Sequence, residues 1–308
     1  MTRPFLTGPH CNDQSGCRLY QRRQIKVNIR LSRVLNLRAL IIKESYLKPI
    51  NDRNFDDLSE KFARKVYGGL KGDIRLAVIW RDLLAVIPNI ETQPPLRILD
   101  VGAGLGQLSI RLASLGHEVV YNDLSEKMLE AAQEAASDAG VIDKITWLHG
   151  PYQSLDYERH ELGKFDLVFC HALMEWLAEP ELLVGSLQSW LTPKGRLSLT
   201  FYNHNALIYR NLIRGNFHVL DAEFSADSGS LTPGTPLQRD LVQEWIGLSG
   251  LQTDYSSGIR VFHDYVTTLR GGHMDAAAVI DMELRHSRKE PFKWLGRYIH
   301  FICSAVEI

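Results

Sequence analysis

The sequence predicts an α/β protein with a doubly wound, mostly parallel sheet. Between residues 96 and 203, short apolar segments alternate with segments of helical period, which is typical of strand–helix–strand units. Two later segments, 257–266 and 297–306, have strand character and suit antiparallel pairing at one edge of the sheet. The chain has 308 residues, which is enough to bury a sizeable core.

The predicted elements follow one another in a regular order. Seven strands are predicted, at residues 96–102, 118–123, 145–150, 165–171, 195–203, 257–266 and 297–306. Five helices are predicted, the first two forming a helical N-terminal cap, at residues 55–67, 74–87, 106–116, 125–140 and 180–191. The stretch TPKG (192–195) is a predicted turn. Residues 204–240 lack a clean period and form an insert after the fifth strand, which we expect to be a substrate lid.

The charge distribution suggests a boundary near residue 50. Residues 1–50 hold ten Lys or Arg against two acidic residues, whereas the remainder holds 25 basic and 34 acidic residues. We therefore interpret 1–50 as a basic extension that is poorly ordered, and 51–308 as one folded domain. A basic amphipathic helix at 28–45, serving as a nucleic-acid arm or a membrane-surface helix, is the alternative.

The composition of the chain indicates where the protein resides and whether it binds a metal. No apolar run approaches the roughly 20 residues that span a membrane. The four cysteines show no paired metal-ligand spacing, so no metal site is predicted. These features favour a reduced, cytoplasmic protein.

A glycine-rich turn lies where the first strand meets the next helix, in the stretch LDVGAGLGQL (99–108). Such a turn brings a ligand against backbone N–H groups, and Gly102 and Gly104 are the residues that permit this approach. Asp123 ends the next strand, where a carboxylate hydrogen-bonds ribose hydroxyls. The two features together predict an adenosine-type cofactor. The G-x-G-x-G spacing differs from the G-x-G-x-x-G of dinucleotide sites.

Together with Asp100, this turn resembles motif I of class I S-adenosylmethionine-dependent methyltransferases. The resemblance implies a Rossmann-like sheet, S-adenosylmethionine as cofactor, and Asp100 orienting its amino-acid tail. It also implies that the loop HGPYQSL (149–155) lies against the adenine through Tyr152 and Gln153. His171 follows the fourth strand at the mouth of the site. It is either a cofactor and substrate contact or a histidine at the edge of the core.

A more specific resemblance covers residues 51–306. The chain resembles the bacterial tRNA 5-carboxymethoxyuridine methyltransferases in the stretches NDRNFDDLSEKFARKVYGGLKGDIR (51–75), HALMEW (171–176), FYNHNAL (201–207), GNF (215–217), RVFHDY (260–265) and GRYIH (296–300). This resemblance implies methylation of the carboxylate of 5-carboxymethoxyuridine at the tRNA wobble position, giving the methyl ester. It further implies that Arg75 holds the cofactor carboxylate, that Gly102 and Ala103 line the turn, and that Asp123 binds ribose. Some relatives carry a glycine where this chain has Ala103.

The implied chemistry requires positioning groups rather than a base. A carboxylate acceptor is already ionised at pH 7, because its pKa is near 4. It requires cations or hydrogen-bond donors to orient it. Tyr202 and Arg260 are the first candidates, and His263 and Arg297 the next, although each could instead be a packing or surface residue. Arginines and aromatics at 207–218 suit the anticodon loop of tRNA as the partner.

Two other functions stay open at this point. A small-molecule O-methyltransferase, acting on a quinone precursor or a free carboxylic acid, predicts a closed and mostly apolar pocket under the insert. A non-enzymatic module that only binds the cofactor predicts a mouth blocked by side chains.

Overall fold

The computed structural model describes residues 52–57, 69–156, 162–221, 233 and 235–306, all within one unit that spans Leu47–Ile308. The predicted extension 1–50, most of the predicted helix 55–67 and part of the insert lie outside the described residues. The helices are α1 (Leu70–Val86), α2 (Gln107–Ser114), α3 (Glu126–Asp138), α4 (Pro180–Trp190), α5 (His204–Arg214), α6 (His218–Asp221), α7 (Arg239–Leu248) and α8 (Ala276–His286). The strands are β1 (Arg97–Val101), β2 (Glu118–Asp123), β3 (Ile145–His149), β4 (Phe165–His171), β5 (Leu191–Tyr202), β6 (Leu251–Ile259) and β7 (Tyr298–Ala305).

The seven strands form one sheet in the order β3-β2-β1-β4-β5-β7-β6. Strands β1 to β5 pair in parallel, and β7 pairs antiparallel with both β5 and β6. The predicted fold is therefore confirmed, including antiparallel pairing at one edge. The strand order reverses between β1 and β4, and a crevice opens beyond the carboxyl ends of strands at such a switch point.

Helices cover both faces of the sheet because the central strands are apolar on both sides. In β4, Leu167 and Phe169 pack with α1, α2 and α3, whereas Val168 and Cys170 pack with α4 and α7. Each of these four side chains is fully buried. The parallel register pairs Val101 with Asn122 and with Cys170, so the carboxyl ends of β1, β2 and β4 lie at one level, where the glycine turn follows β1.

The predicted turn at 192–195 lies inside β5 instead, as an irregularity in its pairing with β4. Phe165 pairs with Leu191 and Leu167 pairs with Arg196, so three extra residues of β5 are accommodated between the two pairs. A Cβ on Gly195 would lie 2.9 Å from the carbonyl oxygen of Phe165. The sequence TPKG, which indicates a turn, therefore lies within a strand, where Gly195 permits the close approach of β4.

The prediction of a strand over 257–266 is wrong beyond Ile259. Arg260 has a φ of 60° and turns the chain, and His263–Tyr265 form a 3-10 turn. A carboxylate of α8 fixes this segment: Glu283 accepts hydrogen bonds from the backbone N–H groups of residues 261, 262 and 263, at 2.7, 3.2 and 2.9 Å. The alternation of apolar residues continues past Ile259, so the sequence predicts a longer strand. The turn that ends the strand is stabilised by tertiary contacts, which the sequence pattern does not show.

The insert contains a regular helix, α5, although its sequence lacks a clear period. The Asn203 side chain caps its first turn by accepting from the N–H of Asn205, and Gly215 ends it with a φ of 70°. Only Ala206, Leu207 and Asn211 are buried, so the apolar stripe is too narrow to produce a recognisable pattern.

Candidate functional site

The glycine turn follows β1 at the switch point of the sheet. Gly102 and Gly104 have φ values of 65° and 57°, a region that favours glycine. A Cβ on Gly102 would lie 3.0 Å from Cδ2 of Leu173. Ala103 is buried and donates its N–H to the carbonyl of Asn122 at 3.0 Å. The turn therefore packs closely against Leu173, and a larger residue at 102 would displace that side chain.

Asp123 fixes this turn to the end of β2. Its Oδ2 accepts from the N–H of Gly104 and its Oδ1 from the N–H of Ser125, each at 2.8 Å. Burial raises the pKa of Asp123, and these backbone donors oppose that shift. The carboxylate thus orients the turn and also lines the cleft beside it.

Asp100 lies near the end of β1, two residues before Gly102. Its Oδ2 accepts from the Ser109 hydroxyl at 2.7 Å, and burial raises its pKa to about 6. The charge of Arg75, on α1, opposes this shift. An anion and a cation thus lie on the same side of the glycine turn, which suits a ligand with one group of each sign.

Two adjoining clefts open at the turn and share Gly102 and His171. The larger is also lined by Gly104, Asp123 and Tyr152. The smaller is also lined by Arg75, Asp100, Ala103 and Gln107. Eight of the nine predicted cofactor residues therefore line one cleft or both.

Gln153 is the exception, because it lines neither cleft. Its side-chain amide donates to Oδ2 of Asp52 at 3.0 Å. The segment that carries Asp52 forms a wall of the larger cleft, where Phe55 packs edge-on against Trp176 with ring centroids 4.9 Å apart. The sequence prediction did not assign these wall residues, although the stretch NDRNFDD that carries Asp52 and Phe55 was part of the family resemblance.

Two of the four residues predicted to position the acceptor, Arg260 and Arg297, pair with one carboxylate, Asp264. Oδ2 of Asp264 lies 3.5 Å from Nη2 of Arg260 and 3.6 Å from Nε of Arg297. Burial opposes ionisation of Asp264, but these positive charges, with those of Lys71 and Arg210, hold its pKa below its usual range. We call Lys71, Arg210, Arg260 and Arg297 the basic cluster. Its four cations face a single carboxylate, which leaves an excess of positive charge.

The basic cluster adjoins the smaller cleft through aromatic rings. The guanidinium carbons of Arg260 and Arg75 lie 5.4 and 5.8 Å from the ring centroid of Tyr298. Tyr202 packs edge-on against Tyr298 at 5.5 Å, and the guanidinium of Arg297 lies 4.5 Å from the Tyr202 ring. Three of the four predicted acceptor residues are therefore brought together. His263 lies on the adjacent turn, where burial lowers its pKa.

Several buried polar atoms in this region have no hydrogen-bond partner among the described residues. These atoms are Tyr202 Oη, Arg210 Nε, Arg260 Nε, Asp264 Oδ1 and Arg297 Nη1. Buried polar groups are nearly always paired in native proteins, so such a concentration requires an explanation. A bound anionic ligand would supply acceptors to the donors among them.

Glu175, in the HALMEW stretch, is a further buried carboxyl beside this region. Neither carboxyl oxygen has a partner at normal hydrogen-bond geometry within the described part of the chain. Burial raises its pKa to about 7, whereas the nearby backbone of Glu175 and Tyr202 and the charge of Arg75 oppose the shift. The residue carries no local sequence pattern that distinguishes it from an exposed glutamate.

We expect Asp123→Ala to weaken binding of S-adenosylmethionine by about 1–3 kcal/mol, because it removes an acceptor for ribose and releases the turn. Isothermal titration calorimetry measures the change. Asp143→Ala, at an exposed position after α3, is the matched control and should leave the affinity unchanged. Unaltered affinity of the Asp123 variant would remove this residue from the site.

We expect Glu175→Gln to stabilise the protein at pH 8 but not at pH 5. The folded protein keeps a proton that the unfolded chain releases, so the wild type loses stability as pH rises from about 4.5 to about 7. The variant should escape a loss of about 2–3 kcal/mol in the free energy of unfolding. Urea unfolding at both pH values measures it. An equal difference at both would contradict the assignment.

Metal and membrane features complete the description. Among the described residues, no group of three or more His, Cys, Asp or Glu side chains could hold a metal ion. In the same part of the chain, every helix is too short or too polar to cross a membrane.

Comparisons with known proteins agree with this geometry. A family model described as a methyltransferase domain matches residues 98–195. The tRNA 5-carboxymethoxyuridine methyltransferase of Escherichia coli K12 is 39% identical over 252 residues, covering 82% of this chain and 95% of that protein. A ubiquinone biosynthesis O-methyltransferase of Xanthomonas axonopodis is 29% identical over 53% of this chain and 65% of that protein. The CcbJ methyltransferase of Streptomyces caelestis shares the fold, with a TM-score of 0.51 and 13% identity over 85% of this chain and all of that one. The chain belongs to the family of tRNA 5-carboxymethoxyuridine methyltransferases.

Proposed function

We propose that this protein transfers a methyl group from S-adenosylmethionine to the carboxylate of 5-carboxymethoxyuridine at the wobble position of tRNA, forming the methyl ester. The observation that carries the proposal is the basic cluster. Its donors that have no partner among the described residues lie one aromatic ring away from the smaller cleft. The named activity of the E. coli relative supports the same reaction. We place this reaction in the cytoplasm.

The two clefts fit the cofactor. Arg75 and Asp100 in the smaller cleft suit the carboxylate and ammonium of its amino-acid tail, and Asp123 and Tyr152 in the larger cleft suit its ribose and adenine. Gly102 lines both clefts, so its backbone is open to close approach by a ligand. When bound, S-adenosylmethionine supplies a methyl group activated by the adjacent sulfonium.

The chain's own residues then bind and orient the acceptor. A carboxylate is ionised at pH 7, so alignment and exclusion of water supply most of the catalysis. Arg260 and Arg297 would pair with the carboxylate, and Tyr202 would donate through its hydroxyl, whose pKa is raised by burial. Asp264 also pairs with both arginines, which weakens their attraction for the acceptor carboxylate. The carboxylate oxygen therefore keeps its reactivity as the nucleophile.

The insert 204–240 would act as the lid that receives the anticodon loop. Its helix α5 contacts the 260–265 turn: Arg214 donates to the carbonyl of Asp264 at 3.2 Å, and Tyr209 packs edge-on against Tyr265 at 5.2 Å. Tyr209 and Phe217 are 40% and 58% exposed. Exposed aromatics beside arginines suit unstacked bases and phosphates.

The basic cluster argues against a neutral small-molecule acceptor. A quinone precursor would offer no acceptor to the donors of Arg260 and Arg297 that have no partner among the described residues, and Asp264 alone would face the charge of the basic cluster. The closed apolar pocket that this alternative predicts is also not what surrounds Tyr202, where charged groups dominate.

A deletion strain tests the proposal. Nucleosides from its total tRNA, analysed by mass spectrometry, should contain unesterified 5-carboxymethoxyuridine and lack the methyl ester. A plasmid copy of the wild-type gene should restore the ester, and a copy encoding Arg260→Met should not. An unchanged ester content in the deletion strain would refute the proposal.

A further inference from the structure

Four buried polar side chains form a continuous chain of hydrogen bonds from α1 to the mouth of the clefts. Nε2 of His171 lies 2.9 Å from Oγ of Ser198, and that Oγ lies 2.9 Å from Nε2 of His300. Nδ1 of His300 lies 2.8 Å from Oδ2 of Asp82. All four residues are at least nine-tenths buried. We call Asp82, His300, Ser198 and His171 the relay.

The sheet register places the relay on one face. Ser198 pairs with Ile302, and Thr200 pairs with both His171 and His300, so the three relay residues of β4, β5 and β7 point to the same side. Asp82 reaches that side from α1. Polar groups in the centre of a sheet are costly unless each is hydrogen-bonded, so this chain is a built feature rather than a chance contact.

The charge around Asp82 sets the direction of the hydrogen bonds. Asp82 already pairs with Arg81 at 2.6 Å and Arg288 at 2.7 Å. A further positive charge beside Asp82 is unfavourable because two arginines already pair with it, which favours a His300 ring that donates Nδ1–H to Asp82 and keeps Nε2 as an acceptor. Its Nε2 then accepts from the Ser198 hydroxyl. The Ser198 oxygen is left to accept from Nε2–H of His171.

We propose that Asp82, His300 and Ser198 are positioning residues that hold His171 as its neutral Nε2–H tautomer, with Nδ1 left as an acceptor where the two clefts meet. This inference rests on the proposed cofactor. A lone pair at that position accepts from an ammonium or hydroxyl donor, and an uncharged ring avoids repulsion of a sulfonium. Burial also lowers the pKa of His171 well below its usual value, which agrees with a neutral ring.

Nitrogen NMR of histidine-labelled protein without ligand tests the relay directly. The wild type should show His171 as the Nε2–H tautomer, whereas Ser198→Ala should show a mixture of tautomers. Calorimetry with S-adenosylmethionine should give roughly a fivefold weaker affinity for Ser198→Ala, the effect of one disrupted hydrogen bond. Thr200→Val is the matched control, because it removes a neighbouring buried hydroxyl that has no hydrogen-bond partner among the described residues.

The possible outcomes separate the relay from the proposed function. A wild-type His171 that is cationic or carries its proton on Nδ1 would overturn the proposal, whether or not any variant folds. A Ser198→Ala protein with weaker affinity but an unchanged tautomer would overturn the relay, as would an altered tautomer with unchanged affinity. If S-adenosylmethionine fails to bind even the wild type, the proposed function falls, while the tautomer measurement still decides whether the relay orients His171.

Discussion

Arg260→Met is expected to lower kcat/KM for tRNA by about a hundredfold to a thousandfold while leaving the Kd for S-adenosylmethionine unchanged. Truncating one partner of a buried charge-assisted pair costs roughly 2–5 kcal/mol. Arg260 is mostly buried, its side chain lies 3.5 Å from Asp264, and its Nε has no partner among the described residues. Removing it would leave the acceptor carboxylate poorly held and Asp264 less well compensated.

Steady-state kinetics with undermodified tRNA and calorimetry with the cofactor measure the two quantities. Arg285→Met is the matched control, since Arg285 is an exposed arginine of α8 that pairs with Asp281, and its kcat/KM should stay near the wild-type value. An Arg260 variant with the wild-type kcat/KM would show that this residue does not hold the acceptor. A variant with a raised Kd for S-adenosylmethionine would show that Arg260 contacts the cofactor instead.

Gly102→Ala is expected to weaken cofactor binding by more than tenfold and to lower the free energy of unfolding by about 1–3 kcal/mol. The φ of 65° strains any residue with a Cβ. The added Cβ would also meet Cδ2 of Leu173 at 3.0 Å and would displace this side chain, which lines the larger cleft. Calorimetry and chemical unfolding measure the two effects.

Gly140→Ala separates backbone strain from the loss of the site. Gly140 has a φ of 68° and no atom within 4 Å of the position of a Cβ. The control should lose similar stability but bind the cofactor normally. Equal cofactor affinity in the Gly102 and Gly140 variants would contradict the placement of the ligand beside the glycine turn.

The cofactor half of the site was predictable because its residues follow local rules. Gly102, Gly104 and Asp123 lie at the ends of adjacent parallel strands, and the order of strands in such sheets brings them together. Arg75, on a helix before the sheet, could be assigned only through the resemblance to a family. Gln153 shows the limit of this reasoning, since its neighbour Tyr152 lines the cleft while Gln153 turns to Asp52.

The acceptor half was only partly predictable because tertiary contacts create it. Lys71, Arg210 and Arg297 come from elements distant in sequence from the turn that carries Arg260 and Asp264, and that turn depends on Glu283 of α8. The relay was missed for the same reason, because Asp82 and His300 are 218 residues apart. A single sequence contains no pattern that pairs such positions.

Incubation of the purified protein with methyl-labelled S-adenosylmethionine and tRNA from the deletion strain is the most direct test of an anionic oxygen as the acceptor. The label should appear in the wobble nucleoside as an ester that mild alkali removes, and tRNA lacking the carboxymethoxy group should receive none. Label in an alkali-stable position, or equal labelling of tRNA without that carboxylate, would contradict the role assigned to the basic cluster.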